Sequence, residues 1–132
     1  MNTLFKAIAL VFVLFICYII YAANTGLDSI FFDVVNGLPF GDKMGHFFLF
    51  GVLTLLINFA LKYKEFKLFI KLPIGTCIVA IVVLIEEISQ GFIPNRTLDI
   101  TDLLADVLGI LLFSYLGKIW YNLSFQRRST KT

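Results

Sequence analysis

The sequence has one histidine, one tryptophan, two cysteines and three prolines, and only 15% of its 132 residues are charged. Each scarcity removes a class of protein. Cys17 and Cys77 stand apart from one another and from His46, so neither a disulfide framework nor a zinc motif has the spacing it needs. Such thiols read as small apolar side chains. No serine, histidine and acid arrangement stands out, and Ser89 and Thr97 sit in no nucleophile motif. No glycine-rich phosphate loop is present. The lysines and arginines lie beside apolar segments, as membrane anchors do, and form no nucleic-acid face. Charge this sparse also argues against a soluble domain, because small domains leave much of their surface wet.

What remains is apolar: 59% of the residues are hydrophobic and fifteen are phenylalanine. Lipid is the natural solvent for such a chain. A crossing takes about twenty apolar residues for a hydrocarbon core of about 30 Å, and four segments answer to that, Leu4 to Ala23, Met44 to Leu61, Leu72 to Phe92 and Leu103 to Tyr121. The expected architecture is therefore all-α, a compact bundle of four transmembrane helices in a single domain. The first apolar run has the length of a full span, longer than the core of a cleaved leader, so a retained helix is expected. Between the first two spans, Leu27 to Gly41 mixes acids with Ile30, Phe31 and Phe32 and reads as a short amphipathic piece at the interface. Asp42 stands where an N-cap belongs. Pro73 suits a first helical turn. Gln126 to Thr132 reads as a basic, disordered tail.

Alternate loops of a four-span protein lie on opposite sides, so basic residues orient it. Lys6, Lys62, Lys64, Lys67, Lys71, Lys118, Arg127, Arg128 and Lys131 collect on one side, against Lys43 and Arg96 on the other. Both termini are thus expected in the cytoplasm. Eight of the nine acids then face outward, with only Glu65 inside.

Those outward residues form the candidate site. Asp42 and His46, Glu86 and Gln90, and Asp102 and Asp106 are each four apart, which stacks the members of a pair on one helix face. Three helix ends can then aim polar groups into a shared pocket. Lys43 and Arg96 are the cations available to offset Asp42, Glu86, Glu87, Asp99, Asp102 and Asp106. Either some carboxylates hold protons or a divalent cation sits among them; oxygen ligands alone suit calcium or magnesium, and His46 would admit zinc or manganese.

Simpler roles compete. Asp42, Asp99 and Asp102 lie at helix starts, where capping is reason enough for an acid. His46 reads first as a hydrogen-bond partner of Asp42 or another acid. Glu86 and Glu87 resist this treatment, since they end a helix where the dipole disfavours negative charge. Neighbours on a helix are about 100° apart, so one of the two is expected to face the bundle and the other the headgroups. Arg96 is their natural partner, or a binder of an anionic group such as phosphate. Glu86, Glu87 and His46 are the candidates for acid–base chemistry.

Taken in order, Asp42-Lys43-Met44-Gly45-His46-Phe47-Phe48-Leu49-Phe50-Gly51, Glu86-Glu87-Ile88-Ser89-Gln90, Arg96-Thr97-Leu98-Asp99-Ile100-Thr101-Asp102 and Asp106-Val107-Leu108-Gly109 resemble the VanZ-like family of small bacterial membrane proteins. The resemblance covers about Asp42 to Gly117. Asp106 departs from the family pattern, which usually carries asparagine there, and adds a charge. The resemblance implies residence in a bacterial membrane and, for the family's namesake, low-level resistance to the glycopeptide teicoplanin, a property that comes without a reaction. The combined expectation is a cytoplasmic-membrane protein whose outward pocket, built from the ten residues Asp42, Lys43, His46, Glu86, Glu87, Gln90, Arg96, Asp99, Asp102 and Asp106, binds an anionic lipid or lipid-linked cell-wall intermediate. The alternative is a metal-assisted hydrolase or transferase acting on a lipid headgroup.

Overall fold

The computed structural model describes residues 2–67 and 71–129. The chain order is α1 (Asn2–Thr25), α2 (Ile30–Asn36), α3 (Gly41–Ala60), β1 (Glu65–Lys67), β2 (Lys71–Pro73), α4 (Ile74–Gln90) and α5 (Ile100–Ser129). Helices dominate, as the apolar runs predict. The all-α expectation needs one correction, because the basic link after α3 forms a two-stranded antiparallel ribbon with Phe66 opposite Leu72. Leu72 and Pro73 therefore belong to a strand. Helix α4 begins one residue past the proline, which is the N-cap, so the ring costs it no helical N–H. The last helix is longer than its apolar run and carries through Ser129. The disordered tail expected from Gln126 is helical that far, and 130–132 lie outside the described residues.

Among the described residues three helices are long and apolar enough to cross a membrane, over Thr3–Thr25, Gly41–Ala60 and Ile100–Ser124. Helix α4 has 17 residues, about 25 Å at 1.5 Å per residue. It runs antiparallel to α3 along nearly that helix's whole length. At its start the Thr76 amide donates to Asn58 near the end of α3, and near its end Glu87 comes within ligand distance of His46 in the first turns of α3. Helix α1 is also antiparallel to α3, with Phe5 stacked on Phe59 and Asn24 reaching Arg96.

The burial pattern is inverted relative to a soluble protein. Leu10, Val11, Leu14, Ile81, Ile85, Leu108 and Leu111 are exposed, while Thr54, Asn58, Thr76, Glu87, Gln90, Asp106 and Ser114 are buried. An apolar coat around polar contents fits lipid as the surrounding medium. A small apolar core of Ile16, Phe50, Leu53, Val79, Val83 and Ile110 separates two polar layers.

One polar layer lies at the end of the bundle that carries the ribbon. The Asn58 Oδ1 accepts from the Thr76 amide at 3.1 Å, its Nδ2 donates to Thr76 Oγ1 at 2.9 Å, and Thr76 and Ser114 hydroxyls bond at 2.6 Å. A side chain on α3 thus caps an otherwise unpaired amide of α4 and links it to α5. Lys118 of α5 pairs with Glu65 of β1 at the same end.

Small residues let the helices approach. A β-carbon on Gly109 would overlap the Phe47 carbonyl oxygen, and one on Gly117 would overlap Tyr63 and Leu55. Helices α3 and α5 consequently touch backbone to backbone, the contact that small residues permit between membrane helices. Gly109→Ala is expected to lower the melting temperature by forcing that interface apart, read by circular dichroism in detergent. Asn58→Ala should cost about 1–3 kcal/mol, because the Thr76 amide then loses its acceptor. Tyr63, buried with a hydroxyl that has no hydrogen-bond partner among the described residues, has its phenol pushed up by burial. The folded chain holds that proton more tightly than the unfolded one, so stability is full below about pH 10 and falls as pH rises above it. Tyr63→Phe should be at least as stable as the parent and lose that part of the alkaline decline.

Candidate functional site

The second polar layer lies where α3 and α5 begin and α4 ends. Its first centre is Lys43. The ammonium lies 2.6 Å from Asp42, 2.9 Å from Asp102 and 3.3 Å from Asp99, joining the start of α3 to the start of α5. Asp42 is not the N-cap: Phe40 holds that position in a left-handed conformation, with no side-chain cap. The earlier start, by two residues, puts Asp42 inside the first turn, where it meets the helix dipole and Lys43. The capping acid is Asp99, whose Oδ1 accepts from the Thr101 amide at 2.8 Å and hydroxyl at 2.7 Å. These bonds and Lys43 hold its carboxyl below the usual carboxylate range.

The second centre is His46. Its Nδ1 lies 3.1 Å from Asp106 Oδ1, and its Nε2 lies 3.8 Å from Asp102 Oδ2. Asp42 is therefore not its partner. On α5 the four-residue spacing of Asp102 and Asp106 aims both acids at α3, the former to Lys43 and the latter to the imidazole.

The third centre is the end of α4, where Glu86 and Glu87 are both buried. The expectation that one would reach the headgroups fails because α4 is covered on both flanks. Glu87 turns toward α5, its Oε1 accepting from the Asp99 amide at 2.8 Å. Glu86 turns toward the loop after α4, where Arg96 Nη2 lies 3.6 Å from its Oε1, and its Oε2 accepts from Gln90 at 2.7 Å. Arg96 also donates to Asn24 Oδ1 at 3.4 Å, and Asn95 donates to the Asn24 carbonyl at 3.1 Å. Arg96 thus lies beside Glu86, as the sequence suggested, but through a single long contact and not a bidentate clamp.

A cavity of about 260 Å³ opens between these groups and α1 and α2. Asp42, His46, Glu86, Gln90, Arg96 and Asp102 line it, whereas Lys43, Glu87, Asp99 and Asp106 do not. Its other wall is apolar apart from Asn36, with Ile16, Ile19 and Ile20 of α1 and Phe31, Phe32 and Val35 of α2. The ten sequence-derived residues thus gather at one end of the bundle, six facing the cavity and four behind it. Asn24 and Asn95 belong to the site and escaped sequence reasoning; turn-forming asparagines beside a span and beside an arginine were the available signal.

Among the described residues Lys43 is the one lysine or arginine in contact with Asp42, Asp99 and Asp102, so Lys43→Met should lower stability and Asp102→Asn should restore part of it. A double-mutant cycle on melting free energies is expected to give a coupling of about 0.5–3 kcal/mol.

No curated protein and no solved structure matches the chain. A family model does: VanZ/LLP1 matches residues 3–121, a range that contains the starts of α2 to α5 and every residue of the polar site. The chain belongs to the VanZ/LLP1 family.

Proposed function

We propose that this protein crosses the bacterial cytoplasmic membrane four times and binds an amphipathic envelope component, an anionic lipid or a lipid-linked cell-wall intermediate, in the cavity. The observation that carries the reading is the division of one cavity into an apolar wall from α1 and α2 and a polar wall containing Arg96. Hydrocarbon suits the first and a headgroup the second. Arg96 has five N–H donors in a planar fork, and its contacts with Glu86 and Asn24 are long, at 3.6 and 3.4 Å. Donors therefore remain for a phosphate. Gln90 and Asn95 flank it, while Asp102 and Glu86 offer acceptors to hydroxyl, amide or amine groups. Lys43, already engaged by three carboxylates, serves as their counter-ion.

Four crossings are supported by the path of α4. The starts of α3 and α5 share the Lys43 ion pairs, so the chain leaving α3 at Ala60 has to return to the same end before Ile100. Helix α4 is the element that returns it. The basic bias, nine residues against two, supports cytoplasmic termini and an outward cavity. Reporter fusions at either terminus and after Arg96 should report opposite sides; an external amino terminus would refute the orientation.

Arg96→Ala is expected to weaken binding of a defined anionic envelope lipid to purified protein by about tenfold or more, near the value of one charge-assisted hydrogen bond. Arg96→Lys should recover only part of it, since the bidentate fork is lost. Unchanged binding by a folded Arg96→Ala protein would end this reading. Any teicoplanin tolerance conferred by the chain should fall with the same substitution.

A second reading, a metal-assisted hydrolase or transferase, is favoured by the grouping of His46, Glu87 and Asp106. Glu86 faces the cavity and is the better placed general base. Release of headgroup by purified protein, abolished by chelator and by Glu86→Gln, is the result that would select it.

A further inference from the structure

Behind the cavity wall, a ring nitrogen of His46 and one carboxylate oxygen each from Glu87 and Asp106 lie within 4.8 Å of one another. We infer that these three side chains form a binding site for a single divalent transition-metal ion, zinc or manganese, that locks the starts of α3 and α5 to the end of α4. His46 also lines the cavity, but Glu87 and Asp106 do not and Arg96 plays no part, so the metal site can be tested separately from the lipid reading.

Three observations carry it. The first is the donor set itself. Imidazole with two carboxylates suits zinc or manganese, whereas calcium and magnesium favour oxygen alone. An ion with bonds of about 2.0–2.2 Å in tetrahedral geometry holds its ligands roughly 3.3–3.6 Å apart. The Nδ1 of His46 and Oδ1 of Asp106 are 3.1 Å apart, so that edge of the polyhedron is nearly formed.

The second is an orphaned oxygen. Glu87 is only 2% exposed, and its Oε2 has no hydrogen-bond partner among the described residues. Its Oε1 is held by the Asp99 amide, which fixes the carboxylate while leaving one oxygen bare. Burying such an oxygen with nothing opposite is unfavourable, and a cation supplies the missing partner.

The third is charge balance. Asp42, Glu86, Glu87, Asp99, Asp102 and Asp106 gather at this end of the bundle, and among the described residues the permanent cations that contact them are Lys43 and Arg96. Lys43 contacts the three outer aspartates and Arg96 contacts Glu86. Of these six acids, Glu87 and Asp106 make no Lys or Arg contact among the described residues, and they are the two that converge on His46. Two carboxylates and a neutral imidazole balance one divalent ion. Asp102 lies 3.8 Å from the other ring nitrogen, Nε2, on the side where a metal-binding histidine commonly has a carboxylate behind it.

The test uses the full chain purified in detergent, stripped with chelator and titrated with Zn²⁺, Mn²⁺, Mg²⁺ or Ca²⁺, with bound metal measured by mass spectrometry and melting followed by circular dichroism. Zn²⁺ or Mn²⁺ should bind at one equivalent and raise the melting temperature. Glu87→Gln and Asp106→Asn should each weaken the ion by more than about 100-fold, beyond the loss an outer-shell change produces, while Asp33→Asn on α2 binds like the parent. His46→Cys provides a separate signature: loaded with Co²⁺, it should show a thiolate-to-cobalt absorption band that the parent lacks. Failure of the parent to bind either transition metal would overturn the site, as would preference for Mg²⁺ or Ca²⁺, undiminished binding by folded Glu87→Gln and Asp106→Asn, or a Co²⁺-loaded His46→Cys without the band. Because metal is read directly in lipid-free protein, loss of lipid binding by Arg96→Ala neither supports nor damages this result.

Discussion

Inside an apolar coat no water is available, so every polar side chain has to be answered by another part of the same chain. That constraint organises this molecule. Polar groups occur mainly in two layers, one at each end of the bundle, with an apolar core between them and Thr54 bonding its hydroxyl to the Phe50 carbonyl of its own helix. At the ribbon end the buried network is neutral, beside the Lys118–Glu65 pair nearer the surface: Asn58, Thr76 and Ser114 exchange hydrogen bonds, and an asparagine substitutes for the water that would otherwise meet the Thr76 amide of α4. At the opposite end it is ionic. Lys43, Arg96 and His46 each answer carboxylates from another helix or loop, and every helix except α2 sends a polar group from its body or its flanking residues into those contacts. Charges in a membrane span are expensive and are kept where they serve a purpose; here they hold helix ends together and furnish a cavity.

The two layers depend on close helix packing. Without side chains at Gly109 and Gly117, α5 lies against the backbone of α3 and against Tyr63. That proximity brings Asp102 and Asp106 within reach of Lys43 and His46. The glycines therefore contribute to the site although none of their atoms is polar enough to act in it. Helix α4 is held at both ends, by Asn58 at its start and by the Glu87 bond to the Asp99 amide at its finish. A 17-residue helix so anchored carries Glu86 and Glu87 to a fixed depth. Binding chemistry in a small membrane protein can thus be built from helix termini, where backbone groups and dipoles already concentrate polarity.

Much of this was legible beforehand. Apolar run length announced helices α1, α3 and α5, and the residue spacing in Asp102 and Asp106 placed both acids on one face. The ordered motifs from Asp42 to Gly109 pointed to the family that the match over residues 3–121 establishes. Local chemistry was harder to read. Asp42 looked like a cap because aspartate favours that position, but the turn through Phe40 starts the helix two residues earlier. The ribbon at Glu65 to Pro73 was hidden in a stretch that basic residues made look like a plain link. Asn58, Thr76 and Ser114 drew no attention, since single polar residues in apolar runs carry no pattern until the runs are packed together.

Composition and periodicity by themselves determined that the chain is helical, that lipid is its medium and that its acids belong to helix ends, because these follow from the energy of placing each residue type in hydrocarbon or water. Only the tertiary structure decided which acid meets which base. Pairing depends on helix rotation and depth, and those are set by contacts such as Gly109 on Phe47, made between residues far apart in sequence. Thus Lys43 fell to Asp42, Asp99 and Asp102, Arg96 to Glu86, and Glu87 and Asp106 were left facing His46.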